Sequence, residues 1–150
     1  MATYKQVKIL IPVEAAYIAG LIDGEGTITL SRKHRNENRQ LVVSISSTEL
    51  NMLKYVQEVV GAGKITNKRT YRSNHTPSGT YQISNRQALD LLKQIAPYLK
   101  SYRAERATLI LDHYLQLTPR NGRYSPRQHE ERETFIQQFF DLRPSLILAK

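Results

Sequence analysis

Asp23 and Glu25 alternate with Gly24 and Gly26, directly behind an apolar run of Ala15, Ala16, Ile18, Ala19, Leu21 and Ile22. The run is helix-compatible, and glycines behind it suit a helix C-terminus where the chain turns through positive φ. Acids at that end face the negative pole of the helix dipole and lose stability unless a cation or donor comes near. For Glu25 a hard divalent cation bound by oxygens fits; the plainer reading is a carboxylate that caps the turn. One carboxylate is a poor metal site, but Ala16, Gly20 and Gly24 recur every four residues. That stripe carries almost no side chain and lets a second helix backbone approach closely. Two copies packed on it would bring two Glu25 side chains together beside the Gly24 carbonyls. Asp23, two residues earlier, reads as a helix-end or interface residue.

The elements that must position these groups follow in order. Residues 1–13 read as a lead-in, where Tyr4, Ile9, Ile11 and Val13 alternate but Pro12 argues against a strand. Thr27–Lys33 and Gln40–Ser46 read as a hairpin, with Ile28, Leu30, Leu41, Val43 and Ile45 on the core side. Ser46 and Glu49 are spaced as a capping box before a helix carrying Leu50, Leu53, Val56, Val59 and Val60, which Gly61 ends. The unit recurs: Lys64–Thr70 and Thr80–Ser84 pair across a polar tip, Tyr71–Gly79, and Asn85 is placed to cap a helix with Leu89, Leu92 and Ile95. A fourth helix is expected over about 103–117, with Ala107, Ile110, Leu111, Tyr114 and Leu115 inward. Ser125, Pro126 and Gln128 signal the start of a fifth, whose core residues are Phe135, Ile136, Phe139 and Phe140 and which Pro144 ends. No second acidic, glycine-rich motif occurs.

The chain has 150 residues, a formal net charge of +9 and no cysteine. That length suggests one domain, and the missing cysteines exclude a disulfide framework and thiolate zinc sites. Ile9–Val13 and Ala15–Ile22 are too short to span a bilayer, and Glu14 between them argues against a signal peptide, so a soluble, intracellular protein is expected. Residues 27–48 carry Arg32, Lys33, Arg35 and Arg39 against Glu37, a net +3. Residues 62–86 carry Lys64, Lys68, Arg69, Arg72 and Arg86 without an acid, a net +5. Two basic hairpins in an otherwise nearly neutral chain point to a polyanionic partner rather than to an ordinary solvated face. By strand parity the outer faces hold Thr27, Thr29, Ser31, Lys33, Gln40, Ser44, Lys64, Thr66, Lys68 and Gln82, with Arg35, Arg39 and Arg69 near the turns. A two-stranded ribbon of this kind fits the DNA major groove. Other chemistries find no support: no Lys-Ser/Thr follows the glycines as in a P-loop, the four histidines lack zinc spacing, and Asn74-His75 is too little for an HNH nuclease.

Ile18-Ala-Gly-Leu-Ile-Asp-Gly-Glu-Gly26 resembles the LAGLIDADG motif of homing endonucleases, with Ile for the first Leu, Gly for the second Ala and Glu for the last Asp. The resemblance extends over about 14–117, including Pro97-Tyr98-Leu99-Lys100 before the fourth helix; residues 118–150 fit a C-terminal helical extension less specifically. It implies an α+β fold, αββαββα with C-terminal helices, whose antiparallel sheet forms a DNA-binding saddle. It also implies the single-motif, homodimeric branch, with Ala16, Gly20, Asp23 and Gly24 at the dimer interface. Such enzymes hydrolyse both strands of a long, near-palindromic duplex site. The resemblance assigns metal binding to Glu25 and the Gly24 carbonyl, with Mg²⁺ or Mn²⁺ supporting cleavage and Ca²⁺ binding without it. Arg103, or Lys100 nearby, matches a basic position beside the scissile phosphate, and Ser47 and Asn51 fall where relatives order water. Arg103 cannot lose a proton, so only an electrostatic role carries over. The host compartment would be a prokaryotic cytoplasm or an organelle. The alternative is a non-cleaving module on the same fold, an intron-RNA maturase or a DNA-binding regulator.

Overall fold

The structure is a computed structural model and describes residues 5–68, 77–119 and 123–144, without the Lys68 side chain. The elements are α1 (Pro12–Glu25), β1 (Gly26–Ser31), β2 (Gln40–Ser47), α2 (Leu50–Val60), β3 (Lys64–Lys68), β4 (Ser78–Ser84), α3 (Asn85–Ile95), a 3-10 turn (Ala96–Tyr98), α4 (Tyr102–His113) and α5 (Pro126–Asp141). This is the expected αββαββα order with two helices behind it. Tyr4, Arg69, Arg72 and most of the second hairpin tip lie outside the described residues.

The four strands form an antiparallel sheet in the order β1-β2-β4-β3, so the two hairpins lie side by side with their return strands paired. Alternation sorts the side chains as expected. Ile28, Leu30, Leu41, Val43, Ile45, Tyr81 and Ile83 are buried. They share one apolar core with residues of all five helices, and α1, α2, α3 and α4 each contact the sheet. Full burial of one such aliphatic side chain stabilises the fold by about 1.5–3 kcal/mol. Among the described residues, no helix covers the opposite face. Thr27, Ser31, Gln40, Lys64, Thr66 and Gln82 are exposed there.

Several expected boundaries are corrected. Pro12 opens α1 instead of ending a lead-in: its missing N–H costs nothing in a first turn, and the Glu14 carboxylate accepts the Ile11 N–H at 3.0 Å. The helix runs on through Gly24, and Gly26 is extended at φ −113°, so neither glycine serves a positive-φ turn. Gly26 is needed for close approach, since a Cβ there would sit 2.7 Å from Ile22 Cα and 2.9 Å from Ser44 O. Gly61 does end α2 in the left-handed region, at φ 76°. Lys33 falls past the end of β1.

The Ser46/Glu49 capping box does not form. Ser46 belongs to β2 and pairs with Thr80 through their hydroxyls at 2.8 Å, while Glu49 N–H donates to Ser47 Oγ at 3.0 Å. Ser84 occupies the N-cap position of α3, and Asn85 is its first residue, at φ 54°. The Asn85 side chain accepts the Tyr114 hydroxyl at 3.1 Å and donates to Gln40 Oε1 at 3.3 Å, and Leu41 N–H donates to the same Tyr114 oxygen. Helix α4 stops at His113, which leaves Leu115 exposed rather than inward. Ser125 and Gln128 form the expected capping box of α5.

Two arginines hold the C-terminal helices to the rest of the molecule. Arg106 donates to Ile28 O and Leu142 O, both at 2.9 Å, and lies over the rings of Tyr102 and Phe139. Burial lowers its pKa, the Tyr102 contribution raises it, and the Arg103 charge lowers it again. Arg132, only 3% exposed, donates to Leu117 O at 2.6 Å, to Thr118 Oγ1 at 2.8 Å and to Arg39 O. Neither meets a carboxylate among the described residues; carbonyls and ring faces stabilise the charge instead.

Candidate functional site

The sequence required a positive partner at the C-terminus of α1, and Arg103 on the first turn of α4 supplies it. Its Nε donates to Gly26 O at 2.9 Å, and its Nη1 to Asp23 O at 3.2 Å and Ser101 Oγ at 3.3 Å. The Asp23 carboxylate turns the other way, accepting Lys100 N–H at 2.7 Å, Ser101 N–H at 3.2 Å and the Ser101 hydroxyl at 2.5 Å. Burial pushes the Asp23 carboxyl up, but the Ser101 hydroxyl, the two N–H groups and the Arg103 charge together hold it below the ordinary carboxylate value. Asp23 was expected at a helix end or an interface, and Arg103 at a basic position beside a phosphate. The contacts found for them join α1 to α4 within one chain.

Glu25 stands clear of this clamp. It is exposed, and no described residue gives it a hydrogen bond or ion pair. No cluster of three or more acidic, histidine or cysteine side chains able to hold a metal occurs among the described residues. Among the described residues, the oxygens available at this point are the Glu25 carboxylate and the neighbouring Gly24 backbone carbonyl. Ser47 ends β2 two residues past Ile45, which pairs with Gly26, so its hydroxyl lies at the same end of the sheet as Glu25.

Ala16, Gly20 and Gly24 are all exposed, in line with exposed Val13 and Tyr17. A Cβ added at Gly20 or Gly24 would meet nothing within 4 Å. No contact among the described residues explains either glycine. The Tyr17 ring contacts that of Tyr55 on α2 edge-on, at 5.5 Å.

The open face of the sheet is organised in rows. Thr27 is opposite Ser44, Ser44 opposite Gln82, and Gln82 opposite Lys64, so four outer-face residues cross all four strands. Ser46, Thr80 and Thr66 make a second row, Thr29, Val42 and Ser84 a third, and Ser31 faces Gln40. Lys33 and Arg35 are exposed in the turn between β1 and β2. Arg39 is not part of the open face: its Nη1 donates to Leu30 O at 3.1 Å and its guanidinium lies 5.0 Å from the Phe140 ring centre. Register also sets the two hairpin ends apart. The β3–β4 end, where Lys68 pairs with Ser78, adjoins Ser47 and Glu25, whereas the β1–β2 turn leaves the far end.

A helix-backed antiparallel sheet with one polar, basic face, entered from a small-residue helix that ends on an acid, makes an α+β fold. The family profile of a LAGLIDADG-like domain matches residues 12–96, and the chain belongs to the LAGLIDADG homing endonuclease family. Solved structures agree on the fold. The homing endonuclease I-CvuI in complex with its target superposes with a TM-score of 0.72 at 18% identity, over 93% of this chain and 87% of that one. The archaeal intron-encoded homing endonuclease I-Vdi141I complexed with DNA gives 0.58 at 16% identity, over 92% and 88%. The LAGLIDADG meganuclease I-AabMI bound to uncleaved DNA gives 0.59 at 21% identity, over 91% of this chain but 46% of that one.

Proposed function

We propose that this chain works as a homodimeric, divalent-metal-dependent endonuclease that cuts both strands of a long, near-palindromic DNA site. The observation that carries the reading is the juxtaposition at the C-terminus of α1. An exposed stripe of Ala16, Gly20 and Gly24, which no contact among the described residues explains, ends on Glu25, without a partner among those residues, at one end of the open sheet face. Packing two such stripes joins two partial oxygen sites into one and sets two sheet faces in line. I-AabMI, of which this chain matches about half, supports a complete unit of two copies.

In this reading Glu25 and the Gly24 carbonyl of each copy hold Mg²⁺ or Mn²⁺, with Ca²⁺ binding unproductively. Such an ion supplies Lewis-acid stabilisation at phosphate oxygens. Asp23 and Arg103 fix the end of α1 and so the direction of Glu25; Arg103 adds positive potential next to it. Ser47 Oγ already accepts the Glu49 N–H, which leaves its own proton to order water. Thr27, Ser44, Gln82, Thr66, Thr29, Ser31 and Gln40 read base edges, while Lys64, Lys68, Arg69, Lys33 and Arg35 contact phosphates and fix register. Arg39 supports the turn that carries Lys33 and Arg35. The β3–β4 end then reads base pairs near the cut and the β1–β2 turn reads the outer ones.

The test is Glu25→Gln, which keeps size but removes the charge. Cleavage of a duplex selected from a random library in Mg²⁺ falls to background while binding persists, and the metal-free protein is no less stable. Undiminished Mg²⁺-dependent cutting by this variant would place the metal site elsewhere. Tight binding of intron RNA with no cutting of any duplex pool would support the maturase alternative instead.

A further inference from the structure

Resting on the DNA reading above, we infer that a basic surface running from the edge of the second hairpin onto Lys5 and Arg86 takes a backbone phosphate of the duplex and lengthens the footprint on each side. A hollow of roughly 840 Å³ opens where β3 begins and β4 runs into α3. Lys5, Lys64 and Arg86 line it together with Thr66, Gln82 and Asn85, and no carboxylate does. A smaller hollow of roughly 350 Å³ adjoins it, sharing Asn85 and Arg86; Arg39 and Arg132 line that one, again without an acid.

The three cations of the larger hollow come from three separate places: the N-terminal lead, β3 and the start of α3. Their convergence is built. Gln87 Nε2 donates to Lys5 O at 2.7 Å, which ties the lead against α3 next to Arg86. Gln94 repeats the contact further along, donating to Lys8 O at 3.0 Å and accepting Leu10 N–H at 2.7 Å. None of the three cations has a carboxylate partner among the described residues.

Like charges gathered without a counter-charge repel, an arrangement that an arriving anion relieves. Because Gln82 and Lys64 end the row that begins at Thr27, the hollow continues the reading face. A polyanion lying on that face runs directly into it. Neither Lys5 nor Arg86 lies in a hairpin. What they add is affinity without base preference.

The experiment compares the full-length protein with Lys5→Ser/Arg86→Ser and, separately, Arg86→Ser. Binding to the selected duplex is measured from low to moderate salt, with circular dichroism melting as the check on folding. Each phosphate contact contributes about 0.9 to the slope of log affinity against log salt. The double variant is expected to flatten that slope by about 0.9 for each DNA half-site, and Arg86→Ser by part of that amount. The preferred sequence stays the same. In a methylphosphonate scan, the wild type should lose affinity at an outer phosphate to which the double variant is indifferent. An unchanged slope and an identical scan would overturn this inference while leaving the endonuclease reading intact. Failure of the wild type to bind any duplex would sink both. A slope change seen with RNA but not with duplex DNA would overturn the duplex assignment in favour of an RNA surface.

Discussion

Asp23 and Arg103 hold each other's helix ends. The Asp23 carboxylate takes two N–H groups and a hydroxyl at the start of α4, and the Arg103 guanidinium takes the Asp23 and Gly26 carbonyls at the end of α1. An anion thus sits at an N-terminus and a cation at a C-terminus, each in the favourable sense of the dipole. The acid-bearing end of α1, unfavourable when read from its own sequence, is stabilised from another helix.

Asp23→Asn is expected to cost about 1 kcal/mol at neutral pH, because a neutral acceptor replaces a charged one. The pH dependence follows from the lowered carboxyl. A carboxyl whose folded pKa lies below its unfolded 3.8 stabilises the fold fully above that value and loses the contribution as pH falls through the folded pKa. The stability gap between wild type and variant, measured by urea denaturation, therefore narrows between pH 5 and the acid limit. A gap that widens towards acid would contradict the arrangement.

Arg103→Lys separates positioning from charge. Lysine keeps the positive charge but lacks the fork that reaches two carbonyls and a hydroxyl. If Arg103 positions α1, Lys and Ala variants both lose about 2 kcal/mol of stability, and lysine restores cutting only in part. Complete rescue of cutting by lysine, with no loss of melting temperature, would assign the residue to electrostatics alone.

Gly20 and Gly26 should respond in opposite ways. Gly20 faces open space in the helix, so Gly20→Leu is expected to stabilise the isolated chain by up to about 0.8 kcal/mol. It should at the same time abolish self-association, read by sedimentation at several concentrations. Gly26→Ala would press a methyl group against Ile22 Cα and Ser44 O and lower stability by about 1–3 kcal/mol. A Gly20→Leu chain that still sediments as a dimer would exclude the α1 stripe as the interface.

Arg132→Met removes the donor shared by Leu117 O, Thr118 Oγ1 and Arg39 O. Leaving buried acceptors unmet costs about 1–3 kcal/mol. Because Arg39 carries the β1–β2 turn, hydrogen exchange should quicken there as well as at the start of α5. Exchange altered only in α5 would argue against that link.

Much of this was legible in the sequence. Strand parity placed Ile28, Leu30, Leu41, Val43 and Ile45 in the core, and Ser125 with Gln128 marked the start of α5, because both signals are local. The errors came where a distant partner decides the outcome. Asn85 reads as a cap until Tyr114 and Gln40 claim its side chain. Arg103 reads as a basic position with an electrostatic role, and its contacts with the end of α1 are tertiary ones that no local signal carries. Gly26 reads as a turn glycine because the closeness of Ser44 O is a tertiary fact. Arg106 and Arg132 carried a usable sign, a cation in step with apolar residues: Arg132 precedes Phe135 and Phe139 by three and seven positions, which puts all three on one helix face.

The outer-face row of Thr27, Ser44, Gln82 and Lys64 draws its members from four strands spaced about 4.8 Å apart. Each side chain is therefore the neighbour of the next, although Thr27 and Lys64 are remote in sequence. Changes within a row should be non-additive, since neighbours share partners and space. Changes in rows two apart, about 13 Å along the strands, should combine independently. The unit in which specificity can be redesigned, or can drift, is then the row and not the hairpin. A search that varies one hairpin at a time would miss the combinations that matter, whereas randomising a row together would sample them.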